Sequence, residues 1–305
     1  MKLSLFIEKY FWAFLILGLL LGLIAPVYND FLMLLLKPLL MIMLFLVFLK
    51  TDVAQIFTKI RNYRQMTFLA LSFMIVIPLL LFFTINIFDQ TLAVGVLLLT
   101  SMPAAVASPA LTDIVKGNIA LSTSIVMITS IIAPLTVPFL FWLIQFEGLS
   151  VNPWLLFKDL AVVIIVPVIA SQVIKRYLSQ SITKKIHLIT SVNIIILSLM
   201  VYIAMASQRD VILSDFSGVL WHIFLLYVVS ILLHFIGHFL GFTEDRKGKI
   251  AITISSAYKN NGMAIVLAVL YFEPAILVLM VLSELPWNTL LVPYRKVIQY
   301  KQQKK

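Results

Sequence analysis

The chain has no cysteine, and charged residues make up only 12% of its 305 positions. The first absence excludes a disulfide framework and any cysteine metal site. The second excludes an ordinary soluble domain. Hydrophobic residues reach 62% and the mean hydropathy is +1.08, more apolar surface than one aqueous core of this size can bury. Acidic residues are scarce, 13 against 23 Lys and Arg, for a formal net charge of +10. That excess does not point to nucleic acid. The basic residues stand in short gaps between apolar runs, where the orientation signals of a membrane protein belong. Also missing are Gly-x-Ser-x-Gly, His-Glu-x-x-His and any pair of mid-membrane aspartates, so hydrolytic chemistry lacks its usual parts and an enzyme is not expected. No small-residue cleavage pattern follows the first apolar run, which reads as a span and not as a cleaved leader.

What is present is a succession of apolar segments, each near the roughly 20 residues that cross a bilayer. They lie at 5–25, 30–49, 66–88, 91–115, 119–145, 154–174, 187–206, 217–241, 249–271 and 274–294. The gaps alternate in charge. Lys50, Lys59, Arg61 and Arg64 follow the second segment, Lys116 the fourth, Lys175, Arg176, Lys184 and Lys185 the sixth, and Arg246, Lys247 and Lys249 the eighth. Arg295, Lys296, Lys301, Lys304 and Lys305 end the chain, while the gaps at Asp30, Asp89, Glu147, Asp210 and Glu273 hold almost no basic residues. Positive charge stays cytoplasmic. The expectation is a multi-pass inner-membrane protein with both termini inside.

Five segments per half require the halves, 1–150 and 151–305, to insert in opposite orientations. Punctuation supports an inverted repeat: Pro134 and Pro138 in the fifth segment answer Pro286 and Pro293 in the tenth, about 150 residues later. The fourth member of each half is interrupted. Segment four carries Pro103 and Pro109 around a small polar stretch, and each proline removes a backbone donor. Segment nine carries Ser255-Ser256-Ala257-Tyr258-Lys259-Asn260-Asn261-Gly262. Irregular backbone at membrane depth survives only inside protein or beside a water-filled cavity. Matched interruptions in inverted halves mark the binding site of a secondary transporter.

The stretch Ala107-Ser108-Pro109-Ala110-Leu111-Thr112-Asp113, with Lys116-Gly117-Asn118 and Ala120-Leu121-Ser122 after it, resembles the fourth-to-fifth helix region of the bile acid:sodium symporter family. There an Ala-Ser-Asn run precedes Ala-Lys-Gly-Asp and Ala-Leu-Ser. Ala133-Pro134-Leu135 and the polar break of segment nine fit as well. The resemblance implies an all-α membrane protein of ten transmembrane helices in two inverted five-helix repeats. A panel domain would take about 1–50 and 154–206, and a core domain about 66–145 and 217–297. Segments four and nine would cross in the core, with the solute bound between that crossing and the panel. Family substrates imply a small organic anion, carried by alternating access with no cofactor.

The family's sodium ligands transfer poorly. Ser108 matches the serine of the fourth-helix pair, but Pro109 replaces its asparagine partner. Ser122 matches a fifth-helix hydroxyl, while Val126 stands where a threonine is expected. In segment nine Ser256 falls at the family glutamate and Lys259-Asn260-Asn261 at a methionine-glutamine-asparagine run. Sodium coupling through these positions is therefore not expected; proton coupling or facilitated transport is.

A charge at the bilayer centre costs about 2.5–3.5 kcal/mol, so Lys259 needs a partner or a wet cavity. The carboxylate expected at comparable depth is Glu284, within Ser283-Glu284-Leu285-Pro286-Trp287-Asn288, and a Lys259–Glu284 pair is the preferred arrangement. Ser108, Ser122 or carbonyls of the unwound backbone are the alternative acceptors. The expected substrate and ion site thus comprises Ser108, Pro109, Ser122, Ser256, Lys259, Asn260, Asn261, Glu284 and Asn288.

Other polar residues have plainer readings. His234 and His238 share a helical face but lack further metal ligands. Lys37 would attract an anionic solute or reach a headgroup, Lys158–Asp159 would be a local interfacial pair, and Asn86, Asn193 and Asn288 would bond neighbouring helices. The stretch 52–65 reads as an amphipathic linker on anionic lipid. The rival functions are a channel, or an intramembrane enzyme or receptor using Lys259 as a reactive amine.

Overall fold

The computed structural model describes residues 10–27, 29–50, 63–144 and 152–303, with Ser4, Phe6 and Ile7 before them. Most of the linker expected at 52–65 lies outside these residues. Among the described residues the chain is all helical, apart from one isolated backbone bridge. In chain order, α1 is Phe11–Ile24, α2 Asp30–Lys50 and α3 Tyr63–Ile85. Next come α4, Gln90–Ser101, then α5, Ser108–Ile114, and α6, Ile119–Leu143. The second half contributes α7 Pro153–Ser207, α8 Arg209–Ser214, α9 Phe216–Leu240, α10 Arg246–Ala257 and α11 Asn261–Tyr271. The last are α12 Pro274–Leu282, α13 Glu284–Thr289 and α14 Leu291–Gln303.

Among the described residues, seven helical stretches are long and apolar enough to cross a membrane: 30–49, 63–85, 119–143, 153–177, 188–207, 217–240 and 274–300. Three apolar helices are shorter. Residues 13–24 of α1 form one, and α4 and α11 are the others. At ~1.5 Å per residue, the 12 residues of α4 extend only ~18 Å of the ~30 Å hydrocarbon core.

The chain divides into two compact units. The first comprises 1–59, 141–216 and 262–281. In it, α1 lies on the Leu188–Ser207 part of α7 and α2 on the Pro153–Tyr177 part. Gly22 meets Met205, while the Lys37 ammonium donates to Asp159 Oδ1 at 2.7 Å. α7 cannot be straight. The chain from Gly22 to Lys37 reaches about 35 Å, whereas the matching piece of a straight helix would measure about 70 Å. α7 therefore departs from a straight rod somewhere between Asp159 and Met205.

Asp159 serves as an anchor for this unit. Besides Lys37 it accepts a 2.5 Å hydrogen bond from the Tyr271 hydroxyl. Lys158, the partner expected from adjacency, instead stands over the Trp154 ring at 5.1 Å. Successive helix residues diverge by about 100°, so a neighbour in sequence is a poor ion-pair candidate. Tyr202 fixes the end of α1, accepting from the Val27 amide and donating to the Ala25 carbonyl.

The α1–α7 contact depends on two glycines spaced four apart, a small-residue motif that lets helix backbones touch. A Cβ on Gly18 would lie 2.6 Å from the Ser198 carbonyl oxygen, and one on Gly22 would lie 2.7 Å from Met205 Cβ. Leucine at either position should cost about 1–3 kcal/mol through forced separation. A lower melting temperature in detergent for Gly18→Leu, beside an unaffected Leu17→Ala on the exposed face, would show it.

The second unit comprises 60–140, 217–261 and 282–305. Short polar caps set its helix starts. Asp89 accepts from the Leu92 amide at 2.8 Å to begin α4, and Asp245 accepts from the Gly248 amide at 2.7 Å to begin α10. After α5 the chain reverses through Lys116, whose φ of 60° is left-handed, while the Gly117 amide returns to the Thr112 carbonyl. The Asn118 amide then donates to the Lys247 carbonyl, tying the start of α6 to α10. The site described next lies wholly within this unit.

Candidate functional site

Helix α4 stops at Ser101 because Pro103 follows. The residue before a proline is pushed into extended geometry, and Met102 has ψ 148°. Six residues later α5 resumes with Pro109 in its first turn, where a missing N–H is harmless. α10 ends at Ala257, and Tyr258 is extended with φ −98° and ψ 95°. α11 restarts at Asn261.

The two unwound stretches meet and pair as a short antiparallel bridge between Ala104 and Lys259. The Ala105 amide donates to the Tyr258 carbonyl at 2.8 Å, and the Asn260 amide donates to the Pro103 carbonyl at 3.0 Å. Unpaired backbone groups are costly where no water reaches them, and here each break satisfies the other. Side chains complete the joint. Thr129 Oγ1 accepts from the Ala104 amide at 3.2 Å, and the Trp287 indole donates to the Lys259 carbonyl at 3.2 Å. The Ser108 hydroxyl reaches the Tyr258 carbonyl at 3.5 Å, the limit of a hydrogen bond. Ser122 and Ser255 share a hydrogen bond of 3.2 Å.

Lys259 is 2% exposed, yet its ammonium does not pair with Glu284. It donates to the main-chain carbonyl of Phe73 at 3.2 Å and stands 5.4 Å from the centre of the Phe73 ring. The expected Lys259–Glu284 pair is thus corrected: among the described residues no carboxylate lies within ion-pair distance of this ammonium. No side chain marks the acceptor, which is a backbone carbonyl 186 residues away.

That carbonyl is available for a local reason. The middle of α3 is a π turn, Ser72–Val76, in which the Ile77 amide bonds the Ser72 carbonyl and not that of Phe73. The next residue, Pro78, has no N–H to give. Phe73 is left with a carbonyl that no helical donor claims, and the lysine takes it. Pro78 within the apolar run was the signal that could have located this point.

Glu284, 1% exposed, sits one helical turn from Asn288. The Asn288 amide donates to its carboxylate at 3.1 Å and to its main-chain carbonyl at 2.7 Å. The other carboxylate oxygen, Oε1, has no hydrogen-bond partner. Asn288 thus bonds its own helix rather than bridging to another. Asn261 donates to the Ser283 hydroxyl at 3.0 Å. Asn260 is 4% exposed, and Ser256 is wholly buried with a hydroxyl that has no partner. Of the expected site residues, Ser108, Lys259 and Asn260 meet at the bridge. Asn261, Glu284 and Asn288 gather around α13, and Ser122 faces α10 through Ser255.

His234 bonds the Ser230 carbonyl through Nδ1 at 2.8 Å and packs against the Tyr258 and Tyr294 rings. A small pocket, with room for little more than one water, is bordered by His234, Tyr258, Lys259, Asn261, Ser283 and Trp287.

The family model described next covers the first of the two breaks. A family model described as Sodium Bile acid symporter family matches residues 37–215. A protein named as an uncharacterized sodium-dependent transporter, YocS of Bacillus subtilis (strain 168), is 31% identical over 189 residues. That alignment takes in 60% of this chain and 57% of YocS, so the chain spans well under two thirds of the relative's length. The second break, with Lys259 and Glu284, lies beyond the residues that the family model matches. The match nevertheless takes in more than half of the chain, which is a multi-pass membrane protein and belongs to the sodium bile acid symporter family.

Proposed function

We propose that this protein carries a small organic anion across the inner membrane by alternating access, without sodium at the positions its family uses. The observation that carries the reading is a buried ammonium at the meeting of two interrupted helices. α11 starts at that point, and its dipole adds to the positive field. An anionic head is the complementary partner.

Among the described residues, joining the broken pieces supports a ten-crossing reading. The seven long stretches, α1, the α4–α5 pair and the α10–α11 pair make ten spans. Ten spans split into two five-helix halves of opposite orientation, with both termini cytoplasmic by the distribution of Lys and Arg. Residues about 66–145 and 217–297 would then form the core domain, and about 1–50 and 154–206 the panel.

YocS is named as sodium-dependent. In the present chain Pro109 and Val126 stand where sodium would find side-chain oxygens and Ser256 offers a neutral hydroxyl in place of a carboxylate, so uptake and solute-induced thermal stabilisation should persist when choline replaces sodium. A thermal-shift screen of small organic anions, run in both salts and across pH, tests this. A stabilising anion whose effect needs sodium would overturn the sodium-independent reading. No stabilisation by any organic anion, set against uptake of a neutral or cationic solute, would overturn the substrate class.

A further inference from the structure

We propose that the Phe73 carbonyl is a cation seat built into α3, and that Lys259 is its tethered occupant. Three features make the seat. The π turn Ser72–Val76 diverts the Ile77 amide to Ser72, Pro78 supplies no replacement, and the Phe73 ring presents its face to the same ammonium. A freed carbonyl beside an aromatic face is the chemistry that receives an ammonium ion, through one charge-assisted hydrogen bond and a cation–π contact. Phe73 is fully buried and Lys259 nearly so, which keeps water from competing.

The consequence concerns what binds when the tether is removed. Lys259→Ala leaves the carbonyl, the ring and a channel shaped to a lysine stem. A free n-alkylammonium ion matches all three. Tetramethylammonium matches the charge but has no N–H to donate. The inference deepens the sodium-independent reading above, since a tethered cation makes a diffusible one unnecessary. It does not depend on transport, because its test reads the folded protein alone.

The experiment is thermal melting of the purified full chain in detergent, at constant ionic strength, with methyl-, ethyl-, propyl- and tetramethylammonium chloride. The wild-type protein should respond equally to all four. Lys259→Ala should melt lower and should regain several degrees with propylammonium, saturably, with little gain from tetramethylammonium. Adding Pro78→Ala restores an N–H that competes for the Phe73 carbonyl, and should weaken the rescue. Equal responses to propylammonium and tetramethylammonium would overturn the proposal, as would rescue indifferent to Pro78. Should Lys259→Ala fail to fold, Pro78→Ala with Lys259 in place gives a second reading. Labelling of Lys259 by a small amine-acylating reagent should then be several-fold faster than in wild type, and an unchanged rate would overturn the seat.

Discussion

Ala105→Pro should destabilise the second unit by about 3–5 kcal/mol, enough to abolish a cooperative melt in most detergents. The substitution removes the amide that donates to the Tyr258 carbonyl, the shorter of the two hydrogen bonds joining the breaks. The Tyr258 carbonyl would keep only the Ser108 hydroxyl, at the 3.5 Å limit. A buried carbonyl left without its donor costs about 1–3 kcal/mol, and the proline ring adds a clash in a site where Ala105 is 4% exposed. Ala105→Ser retains the amide and should stay within about 1 kcal/mol of wild type. If the two variants melt alike, the backbone bridge is not what joins the broken helices.

Lys259→Ala and Glu284→Gln should differ sharply, although both remove a buried charge. Lys259→Ala opens a cavity, which for a large core side chain costs about 2–5 kcal/mol, and orphans the Phe73 carbonyl. A loss of about 3–5 kcal/mol is expected. Glu284→Gln keeps the shape and still offers an oxygen to the Asn288 amide. With no cation beside it, a carboxylate at this depth is itself unfavourable, so the neutral amide should cost under about 1 kcal/mol. An ion pair would behave otherwise: removing either partner strands the other charge and costs about 3–5 kcal/mol from both sides. Thermal melts of the two single variants decide the matter. Comparable large losses would restore the Lys259–Glu284 pair and displace the Phe73 carbonyl as the principal acceptor.

Much of this site was visible in the order of residues. Pro103 and Pro109 announced an interruption, because proline withdraws a donor whatever surrounds it. The polar run from Ser255 to Gly262 announced a second, since such residues do not face lipid. Lys259 stood out because a mid-membrane charge demands an explanation. The choice of partner was not visible. Sequence reasoning looked for an opposite charge and found Glu284, whereas the chain supplies a backbone carbonyl released by a π turn. A hydrogen-bond register carries no residue signature beyond Pro78, so the acceptor had no letter to mark it. The same holds for Asp159. Its neighbour Lys158 was the obvious partner in sequence, but helix geometry sends Lys158 to Trp154 and brings Lys37 and Tyr271 to the carboxylate.

The sequence by itself determined that this is a membrane protein and a helical one, because 62% hydrophobic content in runs near twenty residues has no other stable form. It also determined where two helices must break. Only the tertiary structure decided that the breaks satisfy each other's backbone, that Lys259 is held by Phe73, and that, among the described residues, Glu284 has amide donors and no cation beside it. The first two outcomes rest on distances between residues more than a hundred positions apart and on which carbonyl a helix leaves free. Local preference fixes neither; packing in three dimensions fixes both.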